Sequence, residues 1–166
     1  MTLTTHAIVG AAIAGLVPSR PLMGLSLAFA SHFVVDALPH QDYPIRSSSI
    51  TPKIGARMKY DWVLCADLLT ICGDAVLGTV LAVVLFTTQA HANLTLILVG
   101  AFTAMLLDVL QFAYMRFSHQ PLSLIQRFHE LIHTSRRLSG RPVLGVASQF
   151  AFVIIFLITV HPLLPN

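Results

Sequence analysis

The sequence predicts an all-α, polytopic membrane helix bundle, and three observations predict it. Hydrophobic residues make up 55% of the 166 and charged residues only 10%, with a mean hydropathy of +0.78, far from a soluble domain. Three apolar runs, Trp62 to Thr88, Leu94 to Phe117 and Pro142 to Leu164, reach the about 20 residues that cross a hydrocarbon core. Basic residues collect in two connections, as they do in cytoplasmic loops. With no repeat, low-complexity tract or composition break, residues 1–166 read as one membrane-embedded helical domain.

The first element is the least regular. Ala7 to Val17 is too short to span alone, and Pro18, Arg20 and Pro21 interrupt it before a second run from Leu22 to Leu38. We read the two as a short helical hairpin; the alternatives are a single broken span, or a cleaved signal peptide ending near Ala28-Phe-Ala30, which lacks a basic region before its apolar run. Pro39 disfavours helix at Leu38, so the second helix stops there. The connection that follows carries Arg46, Lys53, Arg57 and Lys59, and Asp61 suits the N-terminal cap of the third helix. Cys65 and Cys72 lie roughly 10 Å apart along that helix, too far for a disulfide, and read as packing residues.

The loop from Thr87 to Asn93 is uncharged, whereas Arg116, Arg127, Arg136, Arg137 and Arg141 flank or fill the next connection. Within it Ile125, Phe128, Ile132 and Leu138 form an apolar stripe with Gln126, Arg127, Arg136 and Arg137 turned away, the pattern of an interfacial amphipathic helix. The sequence therefore predicts about five membrane segments plus this helix, in a bacterial inner membrane. The N-terminus and both basic loops are expected in the cytoplasm and the C-terminus outside. That charge placement suits membrane lipids and a lipid-like or anionic substrate, and does not suit nucleic acid, which would need a folded basic domain.

Ionisable residues inside such a chain are costly and mark function. Of seven acidic residues, Asp36, Asp61, Asp67, Asp74 and Asp108 fall within or at the end of an apolar segment. Asp67 and Asp74, seven apart, share a helix face and are expected with Asp108 to line one polar cavity. His32 and Asp36 are spaced i, i+4, so an imidazole and a carboxylate can reach one metal ion, and His40 and Asp42 follow on the turn created by Pro39. The topology brings these residues, with His6, Asp67 and Asp108, to the cytoplasmic half. His6 by itself reads as an incidental histidine after the helix-capping Thr5.

His129-Glu130-x-x-His133 reads as the His-Glu-x-x-His pattern in which paired imidazoles bind zinc and the glutamate is a general base. A peptidase would need a third ligand downstream, and Glu130 is the last acidic residue and His161 the only later histidine. The two histidines border the apolar stripe. They can close the same metal site from the cytoplasmic side, or be surface groups. His91, His119 and His161 have no companion at ligand spacing.

Thr5-His6, the element His32 to Asp42, the intramembrane aspartates and the late two-histidine motif resemble the YdjM-like family of predicted membrane-bound metal-dependent hydrolases, itself distantly similar to zinc-dependent phospholipase C and P1-type nucleases. The resemblance covers most of the chain. It implies His6, His32, Asp36, His40, Asp42, Asp67, His129 and His133 as metal ligands or their immediate supports. The late motif departs from the family's His-Arg-Gly-x-Thr-His-Ser: Glu130 replaces Arg, and the histidines stand four apart rather than five.

The function expected from these features is a membrane-embedded hydrolase that uses a divalent metal, zinc first, with manganese or iron also suited to such ligands. Asp42, Asp67 or Glu130 would act as general base, and the substrate would be a phosphoester or pyrophosphate of a lipid at the cytoplasmic interface. Two other readings stand beside it: an ion-coupled transporter with Asp67, Asp74 and Asp108 along its path, and a structural protein that uses polar residues between helices.

Overall fold

The computed structural model describes residues 1–51, 55–88, 93–117, 119–133, 138 and 141–164. Lys53, His91, Arg136 and Arg137 lie outside the described residues. Six α-helices appear in chain order: α1 (Leu3–Leu16), α2 (Pro21–Asp36), α3 (Trp62–Phe86), α4 (Leu94–Phe117), α5 (Leu122–Ile132) and α6 (Pro142–Val160). The connection between α2 and α3, read from sequence only as a basic loop, contains a small antiparallel hairpin of β1 (Ser48–Thr51) and β2 (Gly55–Met58).

Three helices, α3, α4 and α6, are long and apolar enough to cross a membrane. Their outer faces leave large apolar side chains bare, among them Leu69, Val76, Phe102, Ile155 and Ile158. A surface of that kind is an aggregation hazard in water and is solvated by lipid. Cys65 and Cys72 also point outward on α3, which corrects their reading as packing residues. The first two helices form the expected hairpin, and at 14 and 16 residues neither reaches spanning length. Among the described residues, three helices rather than the five membrane segments expected are thus long and apolar enough to span.

α1, too short to span, is the centre of the molecule. It packs against α2, α3, α4 and α6, and nearly every residue from Leu3 to Ala14 is buried. Small side chains permit this. A Cβ on Gly10 would lie 2.4 Å from Ala104 Cβ and 2.5 Å from the Gly100 carbonyl oxygen, and one on Gly78 would lie 2.5 Å from Thr4 Cα, so α3 and α4 approach α1 at backbone contact.

Because α1 begins inside the bundle, its first amides cannot rely on water. Side chains from three elements supply acceptors instead. Thr2 N–H donates to Gln149 Oε1 of α6 at 3.1 Å, Leu3 N–H to the Tyr43 hydroxyl at 2.8 Å, and Thr4 N–H to Asp74 Oδ2 of α3 at 2.8 Å. Thr4 Oγ1 also donates to Asp74 Oδ1 at 2.7 Å, and the Tyr43 hydroxyl donates to Asp74. Asp61 caps α3 as its position in the sequence predicts, accepting from the amides of Val63 and Leu64.

Candidate metal centre

The hairpin runs antiparallel, so the start of α1 meets the end of α2. His6 and His32 stack with ring centroids 4.1 Å apart, and His6 Nε2 is 3.1 Å from Asp36 Oδ1. After α2 the chain turns back through Pro39, which brings His40 Nε2 to 2.7 Å from Asp42 Oδ1 and 4.0 Å from Asp36 Oδ1. From the other side, α5 delivers His129 Nε2 to 2.9 Å and His133 Nε2 to 3.7 Å from Asp36 Oδ2. Five imidazoles and two carboxylates thus converge in three overlapping groups: His6, His32 and Asp36; Asp36, His129 and His133; and His40, Asp42 and His133. Within each, the ligand atoms lie within 4.8 Å of one another, so the cluster could hold a metal ion. Asp36 is 1% exposed and is common to the first two groups.

The hydrogen bonds around the cluster orient its lone pairs. His32 Nδ1 lies 2.8 Å from the Ala104 carbonyl oxygen and His40 Nδ1 2.7 Å from that of Leu38. A carbonyl only accepts, so both Nδ1 atoms carry hydrogen, and in the neutral ring Nε2 is left as a lone pair. Those Nε2 atoms face carboxylate oxygens, which also only accept: His32 Nε2 lies 3.2 Å from Asp36 Oδ2 and His40 Nε2 2.7 Å from Asp42 Oδ1. Lone pair against lone pair is unfavourable unless the rings take second protons or a cation sits between them. Crowding several imidazolium charges into a buried site is expensive, whereas a metal uses every lone pair. Backbone carbonyls fixing the far ring nitrogen are also the usual support of a ligating histidine. The separations fit as well, since metal–ligand bonds of about 2.0–2.1 Å in tetrahedral geometry imply ligand-to-ligand edges of roughly 3.3 Å.

The sequence-predicted residues do not all arrive. Asp67 stays outside, accepting from the amides of Arg46 at 2.9 Å and Ser47 at 2.8 Å; it anchors the connection before β1. Asp74 is committed to the N-terminus of α1. Asp108 borders the cluster through His32, its Oδ2 lying 3.8 Å from His32 Nδ1. The three aspartates expected in one cavity therefore serve three separate places, because a shared helix face says nothing of which neighbour covers it. Glu130 points into an adjoining cleft and accepts from Gln126 Nε2 at 3.0 Å.

The buried side chains of α5 are Gln126 and His129, while Leu124, Phe128 and Leu131 are exposed, so the polar edge faces the protein and the apolar one faces outward. Gln126, read as turned away from the apolar stripe, shares a helical face with His129 and His133 at spacings of three and seven. Gln149, missed in the sequence, is the one amide side chain within the last apolar run, the kind of intramembrane polar residue that carries a role by default. Tyr43 had no signal beyond following Asp42.

Asp42 and His133 lie outside the spanning helices and titrate against each other. Burial opposes ionisation of Asp42, but the His133 and His40 imidazoles, 3.7 and 2.7 Å away, and the nearby Met1 amino group hold its carboxyl well below the usual range. Burial likewise disfavours charged His133, yet the neighbouring carboxylates of Asp42 and Asp36 raise its pKa. A metal taking the His133 lone pair must displace that proton. Affinity should therefore rise as pH climbs through the raised imidazole pKa and fall on acidification, with about one proton released at this residue. Isothermal titration in two buffers of different ionisation enthalpy measures this; an affinity flat between about pH 6 and 8 would contradict it.

Beside the cluster opens a cleft of about 880 Å³ whose floor includes Asp36, Asp42, His129 and His133. Comparison with protein-family models, curated proteins and solved structures gave no match to this chain.

Proposed function

We propose that the protein is a membrane-embedded metal-dependent hydrolase of the kind the YdjM-like resemblance implies, acting on a phosphoester or pyrophosphate of a lipid at the cytoplasmic membrane interface. The observation that carries this reading is the convergence of imidazoles on Asp36, with the carbonyl-anchored rings of His32 and His40 each turning an Nε2 lone pair toward a carboxylate oxygen. Zinc is the ion best suited to ligand edges of this length, and the seven donors exceed the three that a single catalytic zinc takes from protein. We assign two ions, the first held by His6, His32, His129 and Asp36, the second by His40, Asp42 and His133.

When bound, such ions lower the pKa of a water and polarise a phosphoryl oxygen. The chain's own residues do the rest. Asp36 and Asp42 supply the negative charge that the ions need, and Ala104 and Leu38 hold the rings in the ligating tautomer. Glu130, on the cleft wall and outside the ligand set, is placed to accept a proton from water. Basic residues of the neighbouring loops draw anionic headgroups to this face.

A second reading rests on one observation: Asp36 completes a three-ligand set with His129 and His133, and Glu130 lies between them in sequence, as in zinc peptidases. His6, His32, His40 and Asp42 have no part in that scheme, which is why the multi-ion phosphoesterase is preferred. Purified protein should contain about two zinc equivalents per chain. It should lose them with His32→Ala, and it should hydrolyse lipid phosphoesters only when loaded. Protein that purifies without stoichiometric metal, and takes up none, sinks both readings; cleavage of peptides but not phosphoesters selects the second.

A further inference from the structure

The cleft is much larger than a phosphoryl group requires; about 300–1,000 Å³ is the range that encloses a whole small ligand. Its lining includes polar residues that are not part of the metal cluster. Gln111 and Tyr114 stand three apart on one face of α4, and Ser123, Gln126 and Arg127 come from α5. Arg127 is the only arginine or lysine among the cleft's lining residues, and it makes no ion pair with a carboxylate of the described residues. The acid one turn away, Glu130, is engaged with Gln126.

Arg127 and His129 are two positions apart, so at 100° per residue they leave α5 in nearly opposite directions. The guanidinium therefore addresses a different part of a ligand from the part His129 would meet. Leu131 supplies the third observation. It lines the cleft, and with 83% of its surface exposed it also belongs to the outward apolar row of Leu124 and Phe128. The polar cleft and the lipid-facing edge of α5 thus share a rim.

We propose that this cleft is a headgroup subsite for a diphosphate lipid: Arg127 binds the phosphate that is not attacked, and the hydrocarbon chain leaves over Leu131 into the bilayer. An unpaired guanidinium is suited to a phosphate through two parallel N–H···O bonds. This rests on the hydrolase reading for the position of the reacting phosphate, and its test is independent of turnover.

The protein, zinc-loaded in phosphatidylcholine nanodiscs, is titrated with a prenyl methylenebisphosphonate, whose P–C–P link cannot be hydrolysed. The corresponding prenyl monophosphonate and chain-free methylenebisphosphonate are titrated in parallel. The prenyl bisphosphonate should bind about tenfold or more tightly than the monophosphonate, the effect of hydrogen bonds to a charged group. Arg127→Gln should erase that preference while leaving zinc content unchanged, and Arg127→Lys should restore part of it. A preference that survives in Arg127→Gln, or is absent from the wild type, overturns the subsite. Equal affinity for the chain-free compound overturns its assignment to a lipid. Hydrolysis of prenyl diphosphate is followed separately: Arg127-dependent binding without hydrolysis keeps the subsite and removes the hydrolase, and hydrolysis with Arg127-independent binding does the reverse.

Discussion

Asp36→Asn should strip the protein of metal and lower the proposed hydrolysis by more than about 100-fold, beyond the 10- to 100-fold that follows loss of a partner outside the ligand set. Asparagine keeps the size of the side chain and one acceptor oxygen, so the substitution removes charge with little change of packing. The effect is large because Asp36 is common to two of the three ligand groups: Oδ1 faces His6 and His40, and Oδ2 faces His32, His129 and His133. Asp42→Asn should be milder, since Asp42 joins only the group of His40 and His133. Without the Asp36 charge the imidazoles also lose the anion around which they pack. Breaking a buried charge network of this kind costs about 3–5 kcal/mol, so the variant should melt earlier in detergent. Elemental analysis with thermal denaturation checks both halves; a variant that retains full zinc refutes the assignment of Asp36 as the central ligand.

Gly10→Val should damage the same centre without touching a polar residue. Even the first carbon of the new side chain would sit 2.4 Å from Ala104 Cβ and 2.5 Å from the Gly100 carbonyl oxygen, against an ordinary carbon contact of about 3.5–4.0 Å. Backbone cannot swing aside as a flexible side chain does, so α1 and α4 must separate by roughly 1 Å. The loss should be at or above the about 1–3 kcal/mol typical of overpacking. The separation also moves His6 on α1 away from Ala104, whose carbonyl fixes the His32 ring, so zinc affinity should fall together with stability. Gly73→Ala is the control. A Cβ there has nothing within 4 Å, and alanine in a helix interior gains about 0.5–1 kcal/mol over glycine. A Gly10→Val protein as stable as Gly73→Ala would mean that the close approach of α1 and α4 is wrong.

The limits of each helix were largely legible in the sequence. Continuous apolar runs mark α3, α4 and α6, and the prolines at 18, 21 and 39 mark the edges of the hairpin. The central position of α1 was not, because a run of alanine, glycine, isoleucine and valine looks the same in lipid as among other helices. His32 with Asp36, and His129 with His133, were visible as local spacings. His6 was reached only through the expected convergence on the cytoplasmic half and the family resemblance, since its partners lie 26 and 30 residues away and the hairpin's antiparallel course joins them. Asp67 and Asp74 were assigned to one cavity because helical period tells which residues share a side. It does not tell that one side chain ends on loop amides and the other on the start of α1.

The bonded start of α1 has a consequence for how a bilayer constrains this chain. Hydrocarbon thickness dictates the length of a helix only when the helix must carry its unpaired ends out to water or headgroups. The amide of the capping Thr2 and the first three of α1, Leu3 to Thr5, are all occupied, by Gln149, Tyr43, Asp74 and the Thr2 carbonyl. A 14-residue helix can then begin at any depth its partners choose. The protein, not the lipid, sets where its first histidine stands.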